Sequence, residues 1–371
     1  MTGPLFNFGA GPALLPPAVL KRAQQQLLDW QGCGLSVLEL GHRSELFQQI
    51  TQAAERDLRD LLAIPKEYRV LFMQGGARGQ FAAVPLNLSG QGRQADYIES
   101  GYWSRCAALE GEKYCTAKII DVRCQREGLS AIKPMSEWPI SDQAAFIHYC
   151  PNETINGVAI DEVPDFGERV VVADMSSTLL SRPIEIKRFG VIYACAQKNI
   201  GPAGITLVII RDDLLGRADQ ALPSILNYTL MAQSHSLYNT PPTFAWYCCG
   251  LMFQWLKAQG GLAAIALRNQ QKAAKLYEFM DAHPFYINRV HPAHRSLMNI
   301  PFWLLQSDLV DLFLQQAQGV GLYALKGHQV VGGLRASLYN AMPFAGVNTL
   351  VDFMSAFLQH YGSANPQCGG R

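Results

Sequence analysis
No run of apolar residues in this 371-residue chain is long enough to cross a bilayer as a helix. The opening Met1-Thr2-Gly3-Pro4-Leu5-Phe6 lacks a basic segment followed by an apolar core, so no signal peptide is expected. Charge bias is missing too. Basic residues number 31 and acidic residues 30, with no basic block, which argues against nucleic acid and anionic membranes as partners. The nine cysteines are odd in number, scattered and never spaced C-x-x-C, a pattern that predicts reduced thiols in the cytoplasm rather than a disulfide framework. There is no internal repeat or low-complexity tract. His291 and His294 are separated by Pro292 and have no evident third ligand, so no metal site is expected.

What is present fits an ordinary globular protein of about two domains, with 49 % hydrophobic and only 16 % charged residues. Residues 6–17 read as an extended, turn-rich entry. A helix follows Pro16 and Pro17, with Val19, Leu20, Ala23 and Leu27 on one face. Phe47, Ile50, Ala54, Leu58 and Leu61 mark a second amphipathic helix. From Tyr68 onward, short apolar runs alternate with helical or loop connections. Strands are expected at 69–73, 96–100, 118–122, 145–150, 170–174, 191–196 and 205–211. That rhythm predicts an α/β fold with a large, mostly parallel, seven-stranded sheet. After Pro242 a helical stretch runs from Phe244 to about Met280, broken at Gly260 and Gly261. Beyond it, strands at 296–300 and 329–338 flank a helix at 308–318. The expected division is a large domain over 16–258, a smaller α+β domain from 1–15 with 259–361, and a frayed tail over 362–371.

One lysine draws attention. The apolar run Val191–Ala196 ends before Gly201, Pro202 and Gly204, which force a turn, and Lys198 sits between. Strand ends beside Gly-rich turns are where α/β sheets present chemistry. A partly desolvated amine there becomes a better nucleophile, although a surface lysine after a strand is the plainer reading. Asp174 ends another apolar run, and burying it is costly unless it faces a cation or a donor. It could instead cap the serines that follow. Pyridoxal phosphate asks for both groups, a lysine for its Schiff base and a carboxylate to keep its pyridine nitrogen protonated.

Gln74-Gly75-Gly76-Ala77-Arg78-Gly79-Gln80 follows a strand and opens a helix, whose first amides suit a phosphate. It matches neither the P-loop nor the dinucleotide fingerprint, and a tight turn without a ligand is the alternative. Trp103, after Gly101, can stack on a flat ring. Thr154, in Pro151-Asn152-Glu153-Thr154, can touch ring substituents. Core packing and a local turn bond are the common roles of these two. His42, Arg43, Arg78, His328 and Arg335 recur near glycines, as a substrate with carboxylate and phosphate would require. Singly, each reads as a solvated surface group.

These stretches occur together and in order, and with them the chain resembles the phosphoserine aminotransferases along nearly its whole length. These are class V pyridoxal-phosphate enzymes with the aspartate-aminotransferase fold, fold type I. The matching segments are 7–12, 41–43, 75–81, 101–103, 148–154, 173–177, 197–204, 239–243, 326–328 and 332–337. The resemblance implies that Lys198 forms the aldimine and shuttles a proton, giving ping-pong transfer. Asp174 would pair with the pyridinium, Trp103 would stack on the ring and Thr154 would touch its phenolic edge. Ala77, Arg78 and Gln197 would hold the cofactor phosphate, with Asn239 and Thr240 reaching it from the other subunit of a homodimer. Arg335 would bind the substrate α-carboxylate. His42, Arg43 and His328 would bind the phosphate of phosphoserine or the side-chain carboxylate of glutamate.

The implied reaction moves the amino group of L-glutamate to 3-phosphohydroxypyruvate, giving O-phospho-L-serine and 2-oxoglutarate for serine biosynthesis. It also implies action on 3-hydroxy-2-oxo-4-phosphobutanoate, on the route to pyridoxine. Where the family usually has an arginine after Lys-Gly-His, this chain has Gln329, which weakens the expected attraction for phosphate. Rival readings are an alanine–glyoxylate aminotransferase, a cysteine desulfurase or a non-catalytic binder of pyridoxal phosphate. A desulfurase needs a reactive cysteine on a mobile loop near the site, and none of the nine is evidently so placed. A non-catalytic binder predicts loss of the lysine, and Lys198 is present.

Overall fold
The computed structural model describes residues 4–89, 93–218 and 222–362. The tail expected over 362–371 therefore lies, from residue 363, outside the described residues. The chain opens with β1 (Phe6–Asn7) and α1 (Pro17–Gln26), whose first turn tolerates Pro17 because a leading amide needs no partner. α2 (Glu45–Leu62) starts at Ser44, whose hydroxyl accepts from Phe47 N–H at 3.2 Å, and stops at Ala63 in the left-handed region. Then come β2 (Tyr68–Met73), α3 (Gly76–Leu88), β3 (Gln94–Glu99), α4 (Tyr102–Gly111) and β4 (Thr116–Asp121). A hairpin of β5 (Arg123–Arg126) and β6 (Leu129–Ile132) precedes β7 (Ile147–Tyr149), β8 (Val171–Asp174), β9 (Val191–Cys195) and β10 (Thr206–Arg211). The rest is α5 (Tyr228–Gln233), α6 (Thr243–Ala258), α7 (Gly261–Ala282), β11 (Tyr286–Ile287), β12 (Asn299–Leu304), α8 (Val310–Gly319), β13 (Leu322–Tyr323), β14 (Leu334–Ser337) and α9 (Phe344–Tyr361).

Seven strands form the main sheet in the order β2-β10-β9-β8-β7-β3-β4. Only β10 runs against its neighbours, antiparallel to both β2 and β9. The link from β9 to β10 is too short for a helical crossover, so the chain must double back. Alternate residues feed opposite faces, as the strand period requires. Val171, Ala173 and Ile192 pack into one core with α2 and α6, while Val172, Tyr193 and Val208 pack into another with α3.

A separate core gathers Phe6, Phe8, Leu276, Phe302, Phe313 and Val347 around the three-stranded sheet β11-β12-β14 and the parallel pair β1-β13. Two strands differ from the sequence reading. β12 lies at Asn299–Leu304, a few residues later than 296–300. β14 occupies only Leu334–Ser337 of 329–338, because Gly332 and Gly333 take positive φ and break the extended run. Leu20 faces solvent at 52 % exposure, so α1 buries Val19 and Ala23 without it, and Leu27 lies just past the helix end. Among the described residues no helix is long and apolar enough to cross a membrane.

Candidate active site
The parallel strands β2, β3, β7, β8 and β9 all deliver their C-terminal ends to one rim, where open α/β sheets bind ligands. A cavity of about 400 Å³ opens there. Its lining brings together Ala77, Arg78, Trp103, Thr154, Asp174, Gln197, Lys198, His328 and Arg335. Lys198 is half-buried in the turn between β9 and β10. Gly11 lies over it with φ +132, and a Cβ at that position would stand 3.5 Å from Lys198 Cγ and 3.4 Å from Gln197 Cγ. Ala13 N–H donates to Gln197 O at 2.9 Å, so the entry segment is pinned onto the lysine turn.

Asp174 ends β8 and is 93 % buried, since its exposure is 7 %. Burial pushes its carboxyl up from the ordinary range, while the Lys198 ammonium and Ser176 pull it back. Ser176 donates its hydroxyl to Oδ1 at 2.5 Å and its backbone N–H to the same oxygen at 3.0 Å. Oδ2 makes no hydrogen bond among the described residues, and Asp174 lines the cavity. A buried carboxylate with a spare oxygen asks for a cationic or N–H-bearing ligand. Ser176 in turn accepts from Cys195 N–H at 3.2 Å.

The opposite end is the start of α3. Gly75 and Gly76 carry positive φ of 92° and 65°, a turn that side chains would strain. The leading amides of α3 and the nearby Arg78 make a setting for an anion. Ala77 N–H is taken by Cys195 Sγ at 2.9 Å. Between the two ends stands the Trp103 indole, whose Nε1 donates to Thr154 Oγ1 at 2.7 Å, with the Arg78 guanidinium 5.7 Å from its ring centre.

Trp103 owes its placement to Glu153, which is fully buried at 0 % exposure. Its carboxylate accepts from Trp103 N–H at 2.9 Å and from Ser104 N–H at 2.8 Å, satisfying the first amides of α4. Burial pushes the Glu153 carboxyl up, and those two amides oppose the shift. Gly101 is required beside it, because a Cβ there would sit 2.6 Å from Glu153 Cγ.

At the substrate side, Arg335 projects from β14 and donates Nη1–H to Thr154 O at 3.2 Å. Burial pulls its guanidinium below the ordinary range, but a group that starts so high keeps its charge at neutral pH. His328 packs on Tyr102, ring centres 5.6 Å apart. A buried relay fixes this side. Asn152 Nδ2 donates to Asn299 Oδ1 at 2.9 Å, Asn299 Nδ2 to Tyr339 Oη at 3.1 Å, and Tyr339 O–H to Ala10 O at 2.9 Å.

His42, Arg43, Asn239 and Thr240 are not brought into this cavity by the single chain. Arg43 lines a different hollow with Ser234, His235 and Trp246, because the loop before α2 runs along that side of the sheet. Asn239 and Thr240 lie in the segment before α6, where Thr240 O accepts from Gln74 Nε2 at 3.5 Å. Sequence reasoning missed Glu153 and Cys195. Glu153 was detectable as an acid inside a strand-end turn, but Thr154 beside it drew the chemistry. Two cysteines, Cys150 and Cys195, line the cavity, but neither is the reactive cysteine on a mobile loop that a desulfurase needs. Both are buried, which pushes their thiols up and keeps them protonated rather than nucleophilic.

The class-V aminotransferase family model matches residues 5–350. The chain belongs to the class-V aminotransferases. A solved phosphoserine aminotransferase is 39 % identical, with a TM-score of 0.92 and 96 % of this chain and 99 % of that chain covered. The enzyme from Bacillus circulans subsp. alkalophilus is 38 % identical, TM-score 0.92, with 96 % and 99 % covered. That from Trichomonas vaginalis, solved with pyridoxal phosphate bound, is 38 % identical, TM-score 0.89, with 95 % and 99 % covered. This class-V aminotransferase is thus a pyridoxal-phosphate-dependent enzyme of fold type I. The cavity fits that cofactor. Asp174 offers a buried carboxylate with an oxygen to spare, the α3 amides and Arg78 offer an anion site, and Trp103 gives a flat wall between them, with Lys198 alongside.

Proposed function
We propose that this class-V aminotransferase moves the amino group of L-glutamate to 3-phosphohydroxypyruvate, giving O-phospho-L-serine and 2-oxoglutarate for serine biosynthesis. The observation that carries this reading is 38–39 % identity to phosphoserine aminotransferases over 95–96 % of the chain. Action on 3-hydroxy-2-oxo-4-phosphobutanoate, toward pyridoxine, is proposed as a second use of the same cavity, since both acceptors carry a carboxylate, a ketone and a phosphate.

When bound, pyridoxal phosphate supplies an electron sink that lets an amino acid lose its Cα proton and pass on its nitrogen. Lys198 Nζ anchors the cofactor and moves that proton. Asp174 would hold the proton on the ring nitrogen, with Ser176 fixing its carboxylate through Oδ1. Trp103 would cover one ring face, Thr154 would meet its edge, and Ala77, Arg78 and Gln197 would hold the phosphate. Arg335 clamps the α-carboxylate of donor and acceptor in turn, and His328 serves the distal anion. Gln329, exposed beside it, adds no charge to that end.

We further propose a homodimer in which a second copy completes the site with Asn239, Thr240, His42 and Arg43. All four lie outside the lining of the single chain's cavity, which supports their delivery from a second copy. The division into 16–258 and 1–15 with 259–361 is proposed on the separate hydrophobic core around β11-β12-β14.

The test is the visible spectrum of the purified protein as glutamate and then 3-phosphohydroxypyruvate are added. The cofactor band should bleach with glutamate and return with the phosphorylated keto-acid but not with pyruvate. A band that ignores glutamate would move the function to another donor or to a lyase. The Lys198→Ala variant should stay folded and silent.

A further inference from the structure
Cys195 belongs to none of the roles above, yet it touches both ends of the cavity. Its side chain is 5 % exposed and lines the wall beneath the first turn of α3. A Cβ at Gly76 would stand 3.8 Å from Sγ. Sγ accepts Ala77 N–H at 2.9 Å and lies 3.4 Å from Ser176 Oγ, the hydroxyl that holds Asp174. A helix leaves its first amides unpaired, and those amides are what an anion binds. Gly79 N–H closes onto Gly75 O at 3.1 Å. Ala77 N–H, next to the arginine of the same turn, is therefore one of the few donors that this helix start can offer, and the thiol already occupies it.

We infer that Cys195 is a built-in competitor for the Ala77 amide, an internal acceptor that lowers the affinity of this cavity for ligands bearing a phosphate. The inference rests on the reading of the cavity as a pyridoxal-phosphate site. A phosphate that takes the Ala77 amide must first break the N–H···S contact. The displaced sulfur, enclosed in the wall, finds little water in exchange. The cost falls only on the ligand's phosphate, because the contact lies at the α3 end and leaves Oδ2 of Asp174 untouched. Alanine at 195 would leave the amide open. Serine would present a stronger acceptor at nearly the same place.

The full-length chain, freed of cofactor, is titrated with pyridoxal phosphate and with pyridoxal, following quenching of tryptophan fluorescence. Wild type, Cys195→Ala and Cys195→Ser are compared after circular dichroism shows the same fold. The dissociation constant for pyridoxal phosphate should fall about 2- to 5-fold in the alanine variant, the worth of one weak hydrogen bond. It should rise in the serine variant, while pyridoxal binds all three alike. Inorganic phosphate, competing with pyridoxal phosphate, should follow the same order. Equal affinities, or weaker binding by the alanine variant, would overturn the role of Cys195 and leave the cofactor reading intact. Failure of all three proteins to bind pyridoxal phosphate would overturn both.

Discussion

Replacing Arg335 by lysine tests the carboxylate clamp while keeping its charge. The guanidinium spends one N–H on Thr154 O and still has a planar edge for a carboxylate, two parallel N–H···O bonds in one plane. A lysine ammonium at the end of a flexible stem can keep one of those bonds and loses the fork. The loss is therefore close to one charge-assisted hydrogen bond, about 1.5–3 kcal/mol. That corresponds to about a 10- to 150-fold rise in the Michaelis constant. If one guanidinium serves donor and acceptor in turn, as proposed, the rise should appear for glutamate and for the phosphorylated keto-acid by similar factors. Initial rates with each substrate varied at saturating levels of the other give both constants. Arg335→Leu removes the second bond as well and should exceed the lysine variant by about another 10-fold or more. A rise confined to one substrate, or a fall in kcat with both constants unchanged, would refute the shared clamp.

Glu153→Gln should lower the urea midpoint by the equivalent of about 2–4 kcal/mol, because one of its two buried acceptors becomes an N–H₂ facing a helix amide. The same change should weaken pyridoxal-phosphate binding through Trp103, measured by fluorescence quenching. Unchanged stability would mean that the α4 amides are satisfied elsewhere. His148 is enclosed between the Tyr97 and Tyr193 rings, with Nδ1 unpartnered among the described residues, and burial depresses its pKa to about 3. Below the unfolded value of about 6.5 the unfolded chain takes up a proton that the folded chain refuses, so stability falls as pH drops. Between pH 7 and pH 5 the loss should be about 2 kcal/mol, and His148→Phe should remove that part of the acid sensitivity in melts run across the range. Parallel curves for the two proteins would show that His148 is not buried neutral.

The pairing of Asp174 with Lys198 was legible because each closes an apolar strand, and parallel strands lay their ends along one rim. The seven strands of the main sheet were legible for the same reason. The reversal of β10 was legible in principle, from a connection after β9 too short to hold a helix. The hairpin β5-β6 was not. Arg123, Gln125 and Arg126 give it a polar, exposed surface without the alternation that marks a half-buried strand. Glu153 and Cys195 were invisible because their work is done on the backbone amides of α4 and α3, which leave no mark on side-chain spacing. His42 and Arg43 were grouped with Arg335 by chemistry alone. Residue type says what a group can bind but not which wall of the sheet it will face.

The strap formed by the first residues of the chain has a consequence for synthesis. Phe6 and Asn7 pair with Leu322 and Tyr323, Phe8 O accepts from Ser337 N–H, and Ala10 O accepts from Tyr339. Each of these partners leaves the ribosome long after the strap does. The main sheet can form while the chain is still growing, but Gly11 cannot settle over Lys198 until the last strands are made. The strap, though made before the main sheet, thus finds its place after it. A nascent chain stopped short of β14 would own Lys198 and lack the segment that covers it.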